Sequence, residues 1–99
     1  MTTKKLKLQD RKECFFCGKT EGLARHHVYG GTANRRKSET YGCVVWLCGP
    51  HHNLSTEGVH FNKKRDLQLK QYTQREFEKL YGHDKFMETF HRNYIGDMK

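Results

Sequence analysis

Nowhere in the 99 residues is there an apolar run of about 18, so no membrane-spanning helix is expected. Residues 1–11 are polar and basic and lack the apolar segment of a secretory signal, which makes a cytoplasmic protein the expectation. Apolar side chains are scarce throughout: 34% of the residues are hydrophobic and 30% are charged. A chain of this length holds one core, and burial alone would leave it marginal, so a staple is expected. Internal repeats and low-complexity tracts are absent. Acidic residues are in deficit, with 11 Asp and Glu against 19 Lys and Arg, and the resulting charge of +8 attracts polyanions, nucleic acid first among them. The same surplus also keeps a small domain soluble, so charge alone does not choose the partner.

What the chain does have is four cysteines and seven histidines. Cys14-Phe15-Phe16-Cys17-Gly18-Lys19 has the form of a zinc knuckle, in which Gly18 tolerates the backbone turn that points both thiolates one way. Cys48-Gly49-Pro50-His51 repeats the spacing with histidine in the second place. In a reducing compartment such pairs read as metal or redox sites, and the chain lacks the βαβ pattern that would favour redox. Cys14, Cys17, Cys48 and His51 therefore form a Cys3His set suited to structural zinc. Cys43, at a strand start, reads as a small buried residue outside that set.

The organisation expected around these residues is α+β. Residues 1–12, with five Lys or Arg, read as a basic flexible arm, and residues 13–99 as a single domain. Residues 23–29 and 44–47 read as strands, enclosing a polar basic loop that Gly30-Gly31 opens and that carries Asn34, Arg35, Arg36 and Lys37. Residues 48–53 read as a turn. From about residue 62 the chain loses Gly and Pro until Gly82, so one helix or two follow, with Asn62 as cap and a capping-box form at Thr73-Gln74-Arg75-Glu76. Asp84 is placed to cap a last helix in which Phe86, Phe90 and Tyr94 recur every four residues.

Tying Cys48 to Cys14 and Cys17 brings His26-His27 toward His52 and His60. Adjacent strand residues face opposite ways, so His26 and His27 should differ in role. The knuckle Cys14-Phe-Phe-Cys17, the paired His26-His27 and the closing Leu47-Cys48-Gly-Pro-His51-His52 together resemble the HNH (ββα-metal) nuclease family over residues 12–60. The loop near Gly30-Gly31 and the C-terminal helices are also similar to small phage-encoded, recombination-associated members, the RecA-dependent nuclease group among them.

The resemblance implies a zinc-stapled ββα-metal, treble-clef-like core with C-terminal helices, acting as a DNA endonuclease in the cytoplasm. It implies His27 as the general base, with His26, His52 and His60 holding a catalytic divalent ion, whether Mg2+, Mn2+ or Zn2+. His60 follows His52 by eight residues, where the family often has four. The family's middle asparagine falls at Cys43, which leaves Asn34 or Asn53 to orient the base. A neutral histidine, with a reference pKa of about 6.5, can take a proton from water near neutral pH. Arg35, Arg36, Lys37, Lys63, Lys64 and Arg65 are placed for phosphate contacts. The competing expectation is a zinc module that binds DNA or a recombination protein without cutting.

Overall fold

The computed structural model describes residues 4–52, 58 and 62–96, so Asn53 and His60 lie outside the described residues. The chain runs β1 (Leu23–His27), α1 (Thr32–Tyr41), β2 (Val44–Cys48), α2 (Gly49–His52), α3 (Lys63–Tyr81) and α4 (His83–Phe90), a small α+β arrangement. β1 and β2 pair antiparallel, with Leu23 opposite Cys48 and His27 opposite Val44. Along β2 the side chains alternate, Val45 and Leu47 buried and Val44 and Trp46 partly exposed, as a one-sided sheet requires. Among the described residues no helix is long and apolar enough to cross a membrane.

The basic loop expected between the strands is instead the ten-residue helix α1. Ala33, Arg35, Arg36, Lys37 and Glu39 are good helix formers, and Gly42 closes the helix in a left-handed conformation with its N–H on the Ser38 carbonyl. The helix buries only Ser38, so no apolar stripe marks it. The Ser38 hydroxyl donates to the Tyr29 carbonyl (3.0 Å) and accepts from the Tyr29 N–H (3.3 Å), which pins α1 against the end of β1. The expected turn after Cys48 is likewise one turn of helix, α2, in whose first turn Pro50 sits without needing an N–H partner.

α3 begins where Asn62 Oδ1 accepts the Arg65 N–H at 3.0 Å, and it is continuous through the capping-box form. Thr73 donates to the Leu69 carbonyl within the helix (2.8 Å). Gln74, 0% exposed, donates to Asn93 Oδ1 (2.7 Å) and accepts the Tyr94 N–H (2.8 Å). Those side chains serve the interior and start no new helix. α4 is capped by Gly82 rather than Asp84, which lies in its first turn, and ends at Phe90 with His91 left-handed at φ 60°. Tyr94 is therefore not helical, yet it still reaches the core and stacks on Tyr29 at 5.2 Å.

Tyr29 joins the two halves. Its ring lies 4.4 Å from Phe90 and 5.5 Å from Phe86, and its hydroxyl donates to the Lys70 carbonyl at 2.7 Å. Burial pushes its phenol up, so the hydroxyl remains a donor. The N-terminal stretch expected as a flexible arm is docked from residue 4 onward. Leu8 is buried and Leu6 packs beside it, the Leu6 N–H donates to the Tyr41 carbonyl (2.7 Å), and the Tyr81 hydroxyl donates to the Lys4 carbonyl. Gln9 accepts the Trp46 N–H at 2.7 Å and so covers the free edge of β2.

Gly42 lies directly beneath that stretch. A Cβ there would come within 2.6 Å of the Leu6 carbonyl oxygen, and φ is +79°. Gly42→Ala is expected to cost about 1–3 kcal/mol through this clash and backbone strain together. Thermal melts should show it; an unchanged midpoint would mean that the N-terminal stretch does not lie across Gly42.

Candidate functional site

The first half of the metal centre is a tight knuckle. Gly18, left-handed at φ 78°, donates its N–H to the Cys14 carbonyl (2.8 Å), and the Cys14 N–H donates to the Lys19 carbonyl (2.8 Å). The second half follows from β2, whose last residue is Cys48, with His51 one turn later in α2. Cys17 Sγ lies 3.7 Å from Cys48 Sγ, and His51 Nδ1 lies 3.2 Å from Cys48 Sγ and 3.5 Å from Cys14 Sγ. A tetrahedron with Zn–S bonds near 2.3 Å has edges of about 3.8 Å, while a disulfide needs about 2.05 Å. The four donor atoms all fall within 4.8 Å of one another and could hold a metal ion such as zinc.

The thiols fit that use. Burial works to raise the Cys14 thiol, but the backbone around Cys48, Cys17 and Phe16 outweighs it and brings the group down to about 6. Cys48 is pushed up, by burial first and then by the neighbouring Cys14 and Cys17 sulfurs, a crowding that a cation would relieve. Cys43 stands apart from this group, at 0% exposure in the core, with burial pushing its thiol up to about 12.

Beside this centre lies a cleft of about 600 Å³ whose walls include His26, His27, His52, Arg35, Asp66 and Lys70. His26 is buried at 8%, with its ring 5.4 Å from that of His52. The neighbouring His51 and His52 thus divide between the Cys3His cluster and the cleft. His27 is engaged differently, its Nε2 standing 2.7 Å from Glu39 Oε2 on α1. Arg25, two residues earlier on the same strand, donates through Nε (2.8 Å) and Nη2 (3.0 Å) to the same carboxylate. The Arg25 guanidinium first and the His27 ring second hold the Glu39 carboxyl down at about 2. Asp66 and Lys70, which also line the cleft, form an ion pair of 2.8 Å.

The basic residues expected to meet phosphates are unequally available. Arg35 borders the cleft, and Arg36, Lys63 and Lys64 are exposed. Lys37 Nζ instead donates to the Thr89 carbonyl (2.7 Å), in the last turn of α4, where a cation suits the helix dipole. The Arg65 guanidinium lies 4.9 Å from the centre of the Phe16 ring. His83 bonds Glu78 at 2.6 Å and His91 caps α4.

Glu39, Arg25, Asp66 and Lys70 were not singled out by the sequence. Arg25 and His27 share a strand face by alternation, a pair that the expected strand already offered, and Glu39 and Arg35 are four apart on one helix face, a pair that reading α1 as a helix would have offered. No protein-family model, curated protein or solved structure matches the chain.

Proposed function

We propose that the protein is a divalent-metal-dependent DNA endonuclease of the HNH type, in which zinc on Cys14, Cys17, Cys48 and His51 staples a ββα-metal scaffold. The observation that carries this reading is the convergence of His26, His27 and His52 on one basic-rimmed cleft, immediately beside the Cys3His cluster. Two of the three, His26 and His52, stand with their rings 5.4 Å apart, close enough for one ion to meet both.

A divalent ion held by His26 and His52, with His60 as a further ligand, would supply charge stabilisation for the phosphorane and the departing 3′ oxygen. His27 takes the proton from the attacking water as its oxygen bonds to phosphorus and the bond to the 3′ oxygen breaks. Arg35 receives the phosphate at the cleft, while Arg36, Lys63 and Lys64 hold neighbouring phosphates without reading bases. Lys37 and Arg65 serve chiefly the packing described above.

A plasmid-cleavage assay tests the reading. Zinc-loaded protein should convert supercoiled DNA to nicked or linear forms with Mg2+ or Mn2+ and leave it intact in a chelator too weak to strip the structural zinc. Absence of cutting under every metal condition would make the chain a binding module instead.

A further inference from the structure

We propose that Glu39, braced by Arg25, is the positioning residue for His27: it fixes the imidazole with its proton on Nε2 and leaves Nδ1 to accept a proton from water. The role presupposes the nuclease reading of the cleft and gives its base a partner in place of the family's middle asparagine, whose position here is the core residue Cys43.

An ionised carboxylate only accepts hydrogen bonds, so a histidine nitrogen 2.7 Å from Glu39 Oε2 must carry a hydrogen. In a neutral ring the lone pair is then on Nδ1. Glu39 stays ionised because the two donors of Arg25 stand 2.8 and 3.0 Å from its oxygens. Oε2 serves Arg25 and His27 at once, so the strand pair at positions 25 and 27 and the carboxylate form one three-part unit. Its geometry is set by the fold. Ser38, the residue before Glu39, is 0% exposed and bridges both backbone groups of Tyr29, which fixes the register of α1 against the end of β1. A surface ion pair 41% exposed on its acidic side has little to contribute to stability. Its value lies in the orientation of the ring.

The test pairs a spectrum with kinetics. Long-range 1H–15N correlation spectra of zinc-loaded protein, recorded where the ring 15N shifts show a neutral imidazole, report the tautomer of His27 without any cleavage. The parent should show Nε2–H alone, and Glu39→Ala a mixture of tautomers with an unchanged melting transition. A parent ring protonated on Nδ1, or a Glu39→Ala spectrum like the parent's, would overturn the proposal. In cleavage, Glu39→Ala should lose about 10- to 100-fold in kcat, the size seen when a partner orienting a site imidazole is removed, with DNA affinity not reduced, since the change frees Arg25 of its carboxylate. Combined with His27→Ala it should cost nothing further, because it acts only through that ring; an additive loss would contradict the proposal. Glu39→Gln, which keeps an acceptor oxygen and the side-chain length, guards against a folding defect: its spectrum should retain more Nε2–H than that of Glu39→Ala. A parent that cuts no DNA removes the nuclease reading, while the spectra still judge the hold of Glu39 on His27.

Discussion

His27→Ala is expected to fold, retain its zinc and bind DNA, yet cleave about 10²–10⁴ times more slowly than the parent, the range for loss of a general base. The expectation follows from the position of His27, whose ring lines the cleft, bonds Glu39 and is no member of the Cys3His cluster. His26→Ala and His52→Ala should fail differently. Each removes a donor for the divalent ion, so part of the lost rate should return as that ion is raised. His51→Ala supplies the comparison within the same turn of helix, since its Nδ1 belongs to the zinc cluster. It should lower folding and cutting together, with no recovery at high Mg2+. Single-turnover rates, measured beside zinc content and melting curves, separate the three patterns. A His27→Ala protein that cuts as fast as the parent would leave the base unassigned and the mechanism above untenable.

Stripping the zinc should have the larger structural effect. Structural zinc sites contribute apparent binding energies of about 10–16 kcal/mol in small peptides, against a total stability of about 5–15 kcal/mol for a whole domain. Here the cluster joins the knuckle, the end of β2 and α2, segments about thirty residues apart in the chain that meet at its four donor atoms. A strong chelator, or Cys48→Ser, is therefore expected to abolish the cooperative melting transition. Elemental analysis should find one zinc per chain in the parent. Protein purified without zinc, or a Cys48→Ser variant as stable as the parent, would remove the staple from the account.

The two halves of the candidate site were not equally visible in the residues. Cys14, Cys17, Cys48 and His51 were legible because three-residue spacing within a turn is a local property and thiolate chemistry has few other uses in such pairs. The strands were legible from Val44, Val45 and Trp46. Helix α1 was not, since its interior contacts are the Ser38 hydroxyl on the Tyr29 backbone and the single ring of Tyr41 at its end, and a polar ten-residue helix has no apolar period to detect. Glu39 was hidden for the same reason: its partners are twelve and fourteen residues away and become neighbours only when the helix folds back along β1. The docking of residues 4–12 was masked by their charge, although Leu6 and Leu8 alternate as a strand-like anchor would.

Lys37 reaching the Thr89 carbonyl, together with Tyr29 held among Phe86, Phe90 and Tyr94, has a bearing on how such a protein can be altered by descent or by engineering. The helix that carries Glu39 is held to the later part of the chain by Lys37 on the Thr89 carbonyl and by Tyr41, whose ring meets Phe77 and Tyr81, and the residue two places after His27 is seated in the aromatic cluster of α3 and α4. The C-terminal helices are consequently no detachable cassette. A chimera joined near residue 62 would inherit every cysteine and histidine of the site, yet would have to supply its own rings for Tyr29 and its own carbonyl for Lys37 before those residues stood where their chemistry requires.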